Sequence, residues 1–231
     1  MSHKAIVRHG DVCAVESRPT PTAGPGEIVV APEQVSLCGT DIQILRRVRD
    51  DPSDVVGHEG AARVVEVGEG VAGFAPGDRV VVNPTHPGDP SFLLGHNVGG
   101  LFQQRVLIAA SAVSGGLVGR LPEELSSARA TLVEPYAVVR YAMACLAKVA
   151  PRSFVVFGDG LIGNLAAFVA RRWLHPEVDV VVVHRTELGH AWTSKALPDV
   201  RNVRWDEVDR LALAVGPVAV LVATHRDGTV P

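Results

Sequence analysis

Short apolar runs, separated by Gly and Pro turns, dominate the first part of the chain. One run starts with residues 27–31 after the turn Pro25-Gly26, a second spans 61–67, and a third spans 79–82. Several short runs at this spacing predict β-strands in a small barrel rather than alternating strand–helix units. The stretch 83–100 holds three prolines and four glycines, and it is predicted to be a long loop.

The pattern changes after residue 127. Apolar residues at helical spacing, among them Leu132, Val139 and Met143, predict a helix over 128–149 that ends before Pro151. Strands and helices then alternate, with strands predicted at 154–157, 178–183, near Val203 and at 218–223, and helices at 161–173, 191–197 and 207–214. This alternation predicts a parallel sheet covered by helices, so that the chain divides near residue 150 into domains 1–150 and 151–231.

Composition and charge narrow the class of protein. The chain has 231 residues, 47% of them hydrophobic, and its 22 basic and 25 acidic residues give a net charge of −3. This balance argues against disorder and supplies no basic excess for a phosphate backbone, so we expect no nucleic-acid partner. No apolar run reaches the roughly 18 residues of a membrane span, and three cysteines are too few for a disulfide framework. We expect a reduced, cytoplasmic protein with no membrane partner.

The segment Gly158-Asp159-Gly160-Leu161-Ile162-Gly163 has the pattern G-x-G-x-x-G. It lies between a predicted strand and a predicted helix, which is the context that a dinucleotide pyrophosphate requires. Gly158 would make the tight turn, Gly160 would let the backbone approach the phosphates, and Gly163 would let helix and strand pack closely. We therefore expect the three glycines, with Leu161 and Ile162 at the start of the helix, to bind the cofactor.

The end of the next strand bears on the choice of cofactor. An acidic residue about 20 residues beyond the glycines normally binds the ribose 2′-hydroxyl of NAD. Here the strand ends Val183-His184-Arg185-Thr186, with no carboxylate at that point, and Arg185 could pair with a 2′-phosphate. We expect His184 and Arg185 to contact the cofactor, with NADP favoured over NAD. Two alternatives stay open: Arg185 is a solvated surface residue, and Glu187 or a shift in register supplies the acid.

Metal-ligating residue types occur in three separate motifs, Cys38-Gly39-Thr40-Asp41, Gly57-His58-Glu59-Gly60 and Val133-Glu134-Pro135. Singly, each has a structural explanation, because a lone Cys is usually a small buried hydrophobe. With Gly77-Asp78-Arg79-Val80, Leu121-Pro122 and the glycine turn, in that order, they resemble the medium-chain, zinc-containing alcohol dehydrogenase family, and within it the polyol and threonine dehydrogenase branch. The resemblance implies an α/β fold with a GroES-like β-barrel catalytic domain and a Rossmann-type doubly wound parallel sheet.

By this resemblance Cys38, His58 and either Glu59 or Glu134 hold one catalytic zinc ion. Thiolate, imidazole and carboxylate ligands with one open position suit such an ion. The resemblance also implies that Thr40 relays the proton of the alcohol and that Asp41 orients the ligand histidine. The implied reaction transfers a hydride between a secondary alcohol of a polyol, sugar or cyclitol-like molecule and the nicotinamide ring.

Three features depart from the family pattern. Gln43 stands where many members have a histidine, so the proton path lacks a titrating side chain. The loop 83–100 contains no cysteine and cannot build the structural zinc site of many relatives, and we interpret its His86 and His96 as surface or substrate-side residues. Four strands are predicted in the second domain, whereas the dinucleotide fold usually has six. We therefore expect this sheet to be incomplete at its C-terminal side.

Two other functions stay open from the sequence. One is a metal-free, quinone-reductase-like member that reduces enones, although the presence of Cys38 and His58 argues against it. The other is a nucleotide- or partner-binding protein without turnover, in which an exposed edge of the partial sheet pairs with another chain. We expect a homo-oligomer and, for the dehydrogenase, a small alcohol or ketone as substrate.

Overall fold

A computed structural model describes residues 1–224 of the chain. These residues belong to two compact units, Met1–Glu134 and a second unit that begins at Pro135. The end of the predicted second domain, residues 225–231, lies outside the described residues. Among the described helices, none combines the length and the apolar character that crossing a membrane requires.

The first unit is an antiparallel β-structure with seven strands: β1 (Ser2–His9), β2 (Val12–Pro19), β3 (Ile28–Ser36), β4 (Glu59–Val67), β5 (Arg79–Val82), β6 (Val106–Ile108) and β7 (Val118–Arg120). β1 and β2 pair as a hairpin, and the other five form one sheet in the order β6-β3-β4-β5-β7. Its core is formed by buried branched aliphatic side chains, among them Ile28, Val64, Val80 and Ile108. The strands predicted to start at Glu27 and to span 61–67 and 79–82 are thus present as neighbours in one sheet, the first of them starting one residue later, at Ile28.

The hairpin β1–β2 was not among the predicted strands. Burial alternates along β1, so that Ala5 and Val7 face inwards while their neighbours are exposed. Gly10 and Asp11 form the two-residue turn, and Gly10 has a φ of +68°, a conformation that glycine adopts without strain. No residue of β2 is fully buried, which is why its sequence carries so little apolar signal.

Three short helices complete the first unit: α1 (Gly39–Leu45), α2 (Ala110–Ser114) and α3 (Ser127–Ala130). The helix predicted over 128–149 is in fact two, because Thr131 ends α3 and its hydroxyl donates to the carbonyl of Ala128. The second of these, α4 (Val133–Ala147), buries Val139 and Met143 in the core of the second unit. The boundary between the two units along the chain therefore falls after Glu134, whereas the sequence predicts it near residue 150.

The second unit is a parallel sheet with helices. Its strands are β8 (Ser153–Phe157), β9 (Asp179–His184), β10 (Arg201–Arg204) and β11 (Val218–Val222), in the order β10-β9-β8-β11, with α5 (Leu161–Trp173) and α6 (Glu187–Ala196) between them. All three pairings are parallel. The strand order reverses between β8 and β11, and the crevice at such a switch point is where doubly wound folds bind nucleotides. The four predicted strands are present.

Two predicted helices of this unit differ in extent. In place of the helix predicted over 207–214, the structure has a 3-10 helix, Trp205–Arg210. Only two of its six residues are apolar, too few to form the buried stripe that stabilises an α-helix. α6 starts four residues before the predicted residue 191, because the hydroxyl of Thr186 accepts the backbone N–H of Gly189 and caps the helix there.

Candidate functional site

Cys38 and Thr40 lie where β3 passes into α1. Cys38 is the N-cap residue of this helix, and its backbone N–H donates to Oδ2 of Asp41 at 2.9 Å. A carboxylate in the first turn satisfies a backbone donor that would otherwise lack a partner. The bond fixes the backbone of Cys38 and therefore the direction from which its thiol approaches the site.

His58 and Glu59 lie at the start of β4, beside the end of β3. The antiparallel register pairs Glu59 with Ser36, two residues before Cys38. Consequently Sγ of Cys38, a ring nitrogen of His58 and a carboxylate oxygen of Glu59 all lie within 4.8 Å of one another. His58 is 6% exposed and Glu59 is 2% exposed. We call these three residues the ligand cluster, and sulfur, nitrogen and oxygen donors gathered in this way can bind one zinc ion.

A buried carboxylate lies behind the ligand cluster. Asp41 is fully buried, and its Oδ1 accepts the backbone N–H of Gly57 at 3.1 Å. The same oxygen lies 3.5 Å from Nδ1 of His58, and Nδ1 makes no hydrogen bond to any described residue. Because Oδ2 accepts the N–H of Cys38, Asp41 joins the two backbone segments that carry the cluster.

The ligand cluster carries strong electrostatic interactions. Burial lowers the pKa of His58, but its contacts with Asp41 and Cys38 outweigh burial and raise the pKa to about 10. Burial raises the pKa of Glu134, which His58 opposes and the neighbouring charge of Glu59 reinforces. Glu134 is thus within electrostatic range of the cluster, although its oxygens are not among the three donor atoms that meet. A divalent cation would take the place of the proton on His58 and offset the charges of the two carboxylates.

Two hydroxyl groups contact the ligand cluster. Ser36 Oγ donates to Oε2 of Glu59 at 2.6 Å, which orients that carboxylate. Thr40 Oγ1 lies 3.5 Å from Nε2 of His58, at the side of the cluster where the predicted proton relay begins. Ser36 was not predicted as a site residue, and its only signal is its register opposite Glu59, which the sequence does not show.

The two histidines of the loop 83–100 have different surroundings. His86 bonds within the loop and to α2, since Nδ1 accepts the N–H of Gly88 and Nε2 lies 3.2 Å from the carbonyl oxygen of Ser111. His96 is 6% exposed, and the centre of its ring lies 5.0 Å from that of His58. Its Nδ1 lies 3.0 Å from Oδ2 of Asp51, a residue that no sequence motif singled out.

The predicted glycine turn joins β8 to α5 at the switch point of the parallel sheet. Gly158 has a φ of +117°, and a Cβ there would lie 2.7 Å from the carbonyl oxygen of Ala223. A Cβ on Gly163 would lie 1.9 Å from the carbonyl oxygen of Gly158, whereas one on Gly160 would meet nothing within 4 Å. The first and third glycines are therefore needed for packing, and the second leaves open space at the N-terminus of α5, a position that suits an anion. Leu161 is half-exposed beside this space.

The two cofactor residues predicted at the end of β9 have opposite environments. His184 is 1% exposed, with Nε2 2.7 Å from Oδ1 of Asn202 and Nδ1 3.4 Å from Oδ2 of Asp159. Arg185 is exposed, and its guanidinium carbon lies 5.4 Å from the centre of the Trp205 ring. Both residues line a cavity of about 170 Å³. His184 supports the wall of this cavity, and Arg185 provides a cation at its surface.

The motifs of this chain also occur in a region that is similar to known dehydrogenases. Residues 24–115, which include the ligand cluster, match the alcohol dehydrogenase GroES-like domain. Sorbitol dehydrogenase 2 of Saccharomyces cerevisiae is 29% identical over 245 aligned positions, which cover 98% of this chain and 68% of that protein. Residues 24–115 are thus an alcohol dehydrogenase GroES-like domain, and the chain as a whole is similar to medium-chain alcohol and polyol dehydrogenases. (R,R)-butanediol dehydrogenase of Bacillus subtilis, another relative, is 34% identical over 176 residues, or 65% of this chain and 49% of that protein.

Solved structures of medium-chain dehydrogenases share the fold. The crystal structure of 2R,3R-butanediol dehydrogenase from Bacillus subtilis has a TM-score of 0.75 with this chain at 27% identity, and the match covers 90% of this chain and 65% of that one. The predicted fold class, a GroES-like domain followed by a Rossmann-type parallel sheet, is confirmed. The chain spans 49% to 68% of the length of these two curated relatives.

Proposed function

We propose that this protein is a zinc-dependent oxidoreductase that transfers a hydride between a secondary alcohol and a nicotinamide cofactor, with NADP favoured over NAD. The observation that carries the proposal is the meeting of Cys38, His58 and Glu59 within 4.8 Å, with Cys38 partly buried and the other two residues buried. Three residues separated by up to 21 positions in the chain converge there, with hydrogen bonds that orient them, which a purely structural role does not require.

The donor set fits one catalytic zinc ion. Cys38, His58 and Glu59 would hold it, with Glu134 as the alternative carboxylate, and a fourth position is left for substrate or water. When bound, the ion supplies Lewis acidity toward the substrate oxygen. The partly buried thiol of Cys38 and the buried imidazole of His58 argue against the metal-free enone reductase, because that reaction has no use for a pair of metal ligands.

The chain's own residues orient the site and move the proton. Asp41 fixes the backbone at Cys38 and at Gly57, and Ser36 fixes the carboxylate of Glu59. Thr40 Oγ1, beside His58, would accept the hydroxyl proton of the alcohol. Gln43 cannot titrate, so water would take the proton that the Thr40 hydroxyl releases as it accepts that of the alcohol.

The second unit would bind the cofactor at its switch point. The N-terminus of α5, left open by Gly160, suits the pyrophosphate. Of the two arginines that line the neighbouring cavity, Arg204 is ion-paired with Glu187 and Asp206. Within residues 1–224, Arg185 forms no ion pair, and its guanidinium group makes a cation–π contact with the ring of Trp205. It is therefore the cation available to a 2′-phosphate, which supports NADP.

The substrate class follows from the relatives and from the carboxylates of the site. Relatives include proteins named as sorbitol and butanediol dehydrogenases, whose substrates are polyhydroxylated. Two carboxylates, Glu59 and Glu134, next to a thiol and an imidazole match the pattern of the polyol branch. We therefore propose a secondary alcohol of a polyol, sugar or cyclitol-like molecule, with its ketone as the product. We also propose that the active protein is a homo-oligomer.

Metal analysis of matched cysteine variants tests the proposal. The wild-type protein, purified without chelators, should contain about one zinc per chain, the number required by an open catalytic site. Cys38→Ser should lose the zinc and the oxidation of polyols together. Cys145→Ser removes an exposed thiol of the second unit and should change neither.

Each outcome of this experiment discriminates between functions. Zinc-free wild-type protein that still reduces enones with NADPH would support the metal-free reductase. Zinc-free protein that binds NADPH and has no turnover would support the nucleotide-binding alternative. Retention of activity by zinc-depleted Cys38→Ser would contradict the proposed mechanism.

A further inference from the structure

We propose that His96, held in place by Asp51, is a positioning residue that fixes the imidazole of His58 for metal binding; this inference rests on the proposed function. The rings of the two histidines lie 5.0 Å apart between centres, with an angle of 38° between their planes. Both side chains are buried. No motif of the sequence pairs His96 with the ligand cluster, and only the structure brings them together.

His58 needs a second support because the nearby carboxylate of Asp41 makes no hydrogen bond to its ring. A metal-binding histidine is normally oriented by a hydrogen bond from its other ring nitrogen. Asp41 is the carboxylate nearest to that nitrogen, and its two oxygens accept the backbone N–H groups of Cys38 and Gly57. It stands 3.5 Å from Nδ1 of His58, and that nitrogen has no hydrogen-bond partner among the described residues. The carboxylate of Asp41 therefore restricts the movement of the His58 imidazole but does not fix the orientation of its ring plane.

The side chain and the backbone of His96 are both fixed by hydrogen bonds, so that its ring can restrict the movement of the His58 ring. Its Nδ1 lies 3.0 Å from Oδ2 of Asp51, and its carbonyl oxygen accepts the backbone N–H of Ser53 at 2.7 Å. Asp51 is in turn fixed, since its carboxylate lies 3.2 Å from Nε of Arg49 and its carbonyl oxygen accepts Nη2 of Arg8 at 2.7 Å. Both the main chain and the ring of His96 are thus tied to the segment that follows α1.

The loop that carries His96 packs directly on the backbone beside His58. The N–H of Leu101 donates to the carbonyl oxygen of Gly57 at 2.8 Å. A Cβ on Gly95 would lie 2.7 Å from that oxygen, and one on Gly100 would lie 2.4 Å from it. Glycine at both positions allows this close approach. The docked loop therefore sets the distance between the rings of His96 and His58.

A fixed imidazole binds a metal ion more tightly, because less side-chain freedom is lost when the ion arrives. Loss of a residue that supports a metal ligand typically weakens metal binding by about 10- to 100-fold. We expect this effect for His96, and we expect it without any change in the number of ligands. Asp51, one contact further away, should have a smaller effect in the same direction.

Cobalt binding to the full chain provides a test that is independent of turnover. Co²⁺ is titrated into metal-free wild type, His96→Ala, Asp51→Asn and the control His86→Ala, with absorption spectra recorded at each step. His86 lies in the same loop and makes comparable local bonds, but it contacts α2 rather than the ligand cluster. Circular dichroism of each protein establishes that it is folded.

We expect His96→Ala to bind Co²⁺ about tenfold or more weakly, with altered visible d–d bands and a retained thiolate charge-transfer band from Cys38. Asp51→Asn should lie between this variant and the wild type, and His86→Ala should bind within about twofold of the wild type. Unchanged affinity and spectrum in His96→Ala would overturn the inference, as would an equal loss in His86→Ala. If His96→Ala does not fold, wild-type behaviour of Asp51→Asn overturns it instead. Failure of the wild type itself to bind Co²⁺ would refute the proposed function, a result distinct from a wild type that binds and variants that do not differ.

Discussion

Replacing Arg79 with methionine tests how the first unit is held together behind its ligand-bearing strands. Arg79 is 7% exposed, and its Nε lies 3.4 Å from Oε2 of Glu33 on β3. The rest of its guanidinium group donates to the segment after β7, namely to the carbonyl oxygens of Pro122, Glu123 and Leu125 and to the hydroxyl of Ser127. One buried cation thus connects β5, β3 and the segment that leads to Glu134.

The size of the effect follows from burial and from the number of partners. Breaking a buried ion pair by removing one member costs about 3–5 kcal/mol. The side chain of Glu33 is 26% exposed and keeps its ion pair with Arg63, so the loss lies at the lower end, about 3 kcal/mol, and comes largely from the carbonyl oxygens that lose their donor. Methionine keeps part of the apolar packing of the arginine stem. For a chain of this size the melting temperature should then fall by about 6 to 12 °C.

Urea denaturation followed by far-ultraviolet circular dichroism measures the loss. Tryptophan fluorescence does not report on the first unit, because Trp173, Trp192 and Trp205 all lie in the second. Arg120→Met is the matched control, since Arg120 pairs with Asp78 across the surface with 58% of its side chain exposed. Surface pairs of this kind contribute about 0–1 kcal/mol. Hydrogen exchange should also accelerate over residues 121–127 in Arg79→Met.

The reasoning would be refuted if the two variants lost the same stability. It would also be refuted if Arg79→Met lost about 3 kcal/mol without faster exchange over residues 121–127, because the loss would then come from another part of the unit.

Three further predictions concern charge. The pKa of Glu33 is lowered because its carboxylate accepts hydrogen bonds from Ser127 and the nearby arginines. The stability that this carboxylate contributes is present above its ordinary pKa of 4.5 and is lost as pH falls through the lower pKa of the folded state. Glu33→Gln should therefore make the free energy of unfolding less dependent on pH in the acid range. Arg185→Asp should weaken NADPH binding at least about tenfold relative to NADH in a fluorescence titration, and an unchanged ratio would remove the argument for NADP; Arg172→Asp is the control. Glu134→Gln should lower the affinity for zinc by about tenfold in a competition assay. The control Glu124→Gln, at an exposed position, should have the zinc affinity of the wild type. Equal affinities in the two variants would exclude Glu134 from the site.

Where local sequence decides the structure, prediction succeeds. The strand Arg79–Val82 and the helix Leu161–Trp173 have the bounds that the sequence predicts, because turns and caps flank them directly. The glycine turn falls where strand, turn and helix follow one another without a break. The ligand cluster was predicted only through the family resemblance, since the register that places Glu59 opposite Ser36 is a property of the paired strands.

Long-range packing accounts for what the sequence does not show. Asp51 and His96 are 45 positions apart, and neither lies in a recognisable motif. Their pairing depends on how the loop docks beside Gly57, which follows from the close approach of three backbone segments. The hairpin β1–β2 was not predicted for a different reason: most of its residues are exposed to solvent, and its sequence has little apolar periodicity.

The loop 83–100 has a consequence for handling the protein in the laboratory. Its contacts are hydrogen bonds, such as those of Asp89 to Ser91 and Ser111, the apolar packing of Phe92 and Leu94 in the core, and close backbone packing at Gly95. Neither chelators nor thiol-modifying reagents act on such contacts. Removal of the proposed zinc ion should therefore abolish the proposed activity without unfolding the first unit, so that inactivation and denaturation can be followed as separate events in one sample.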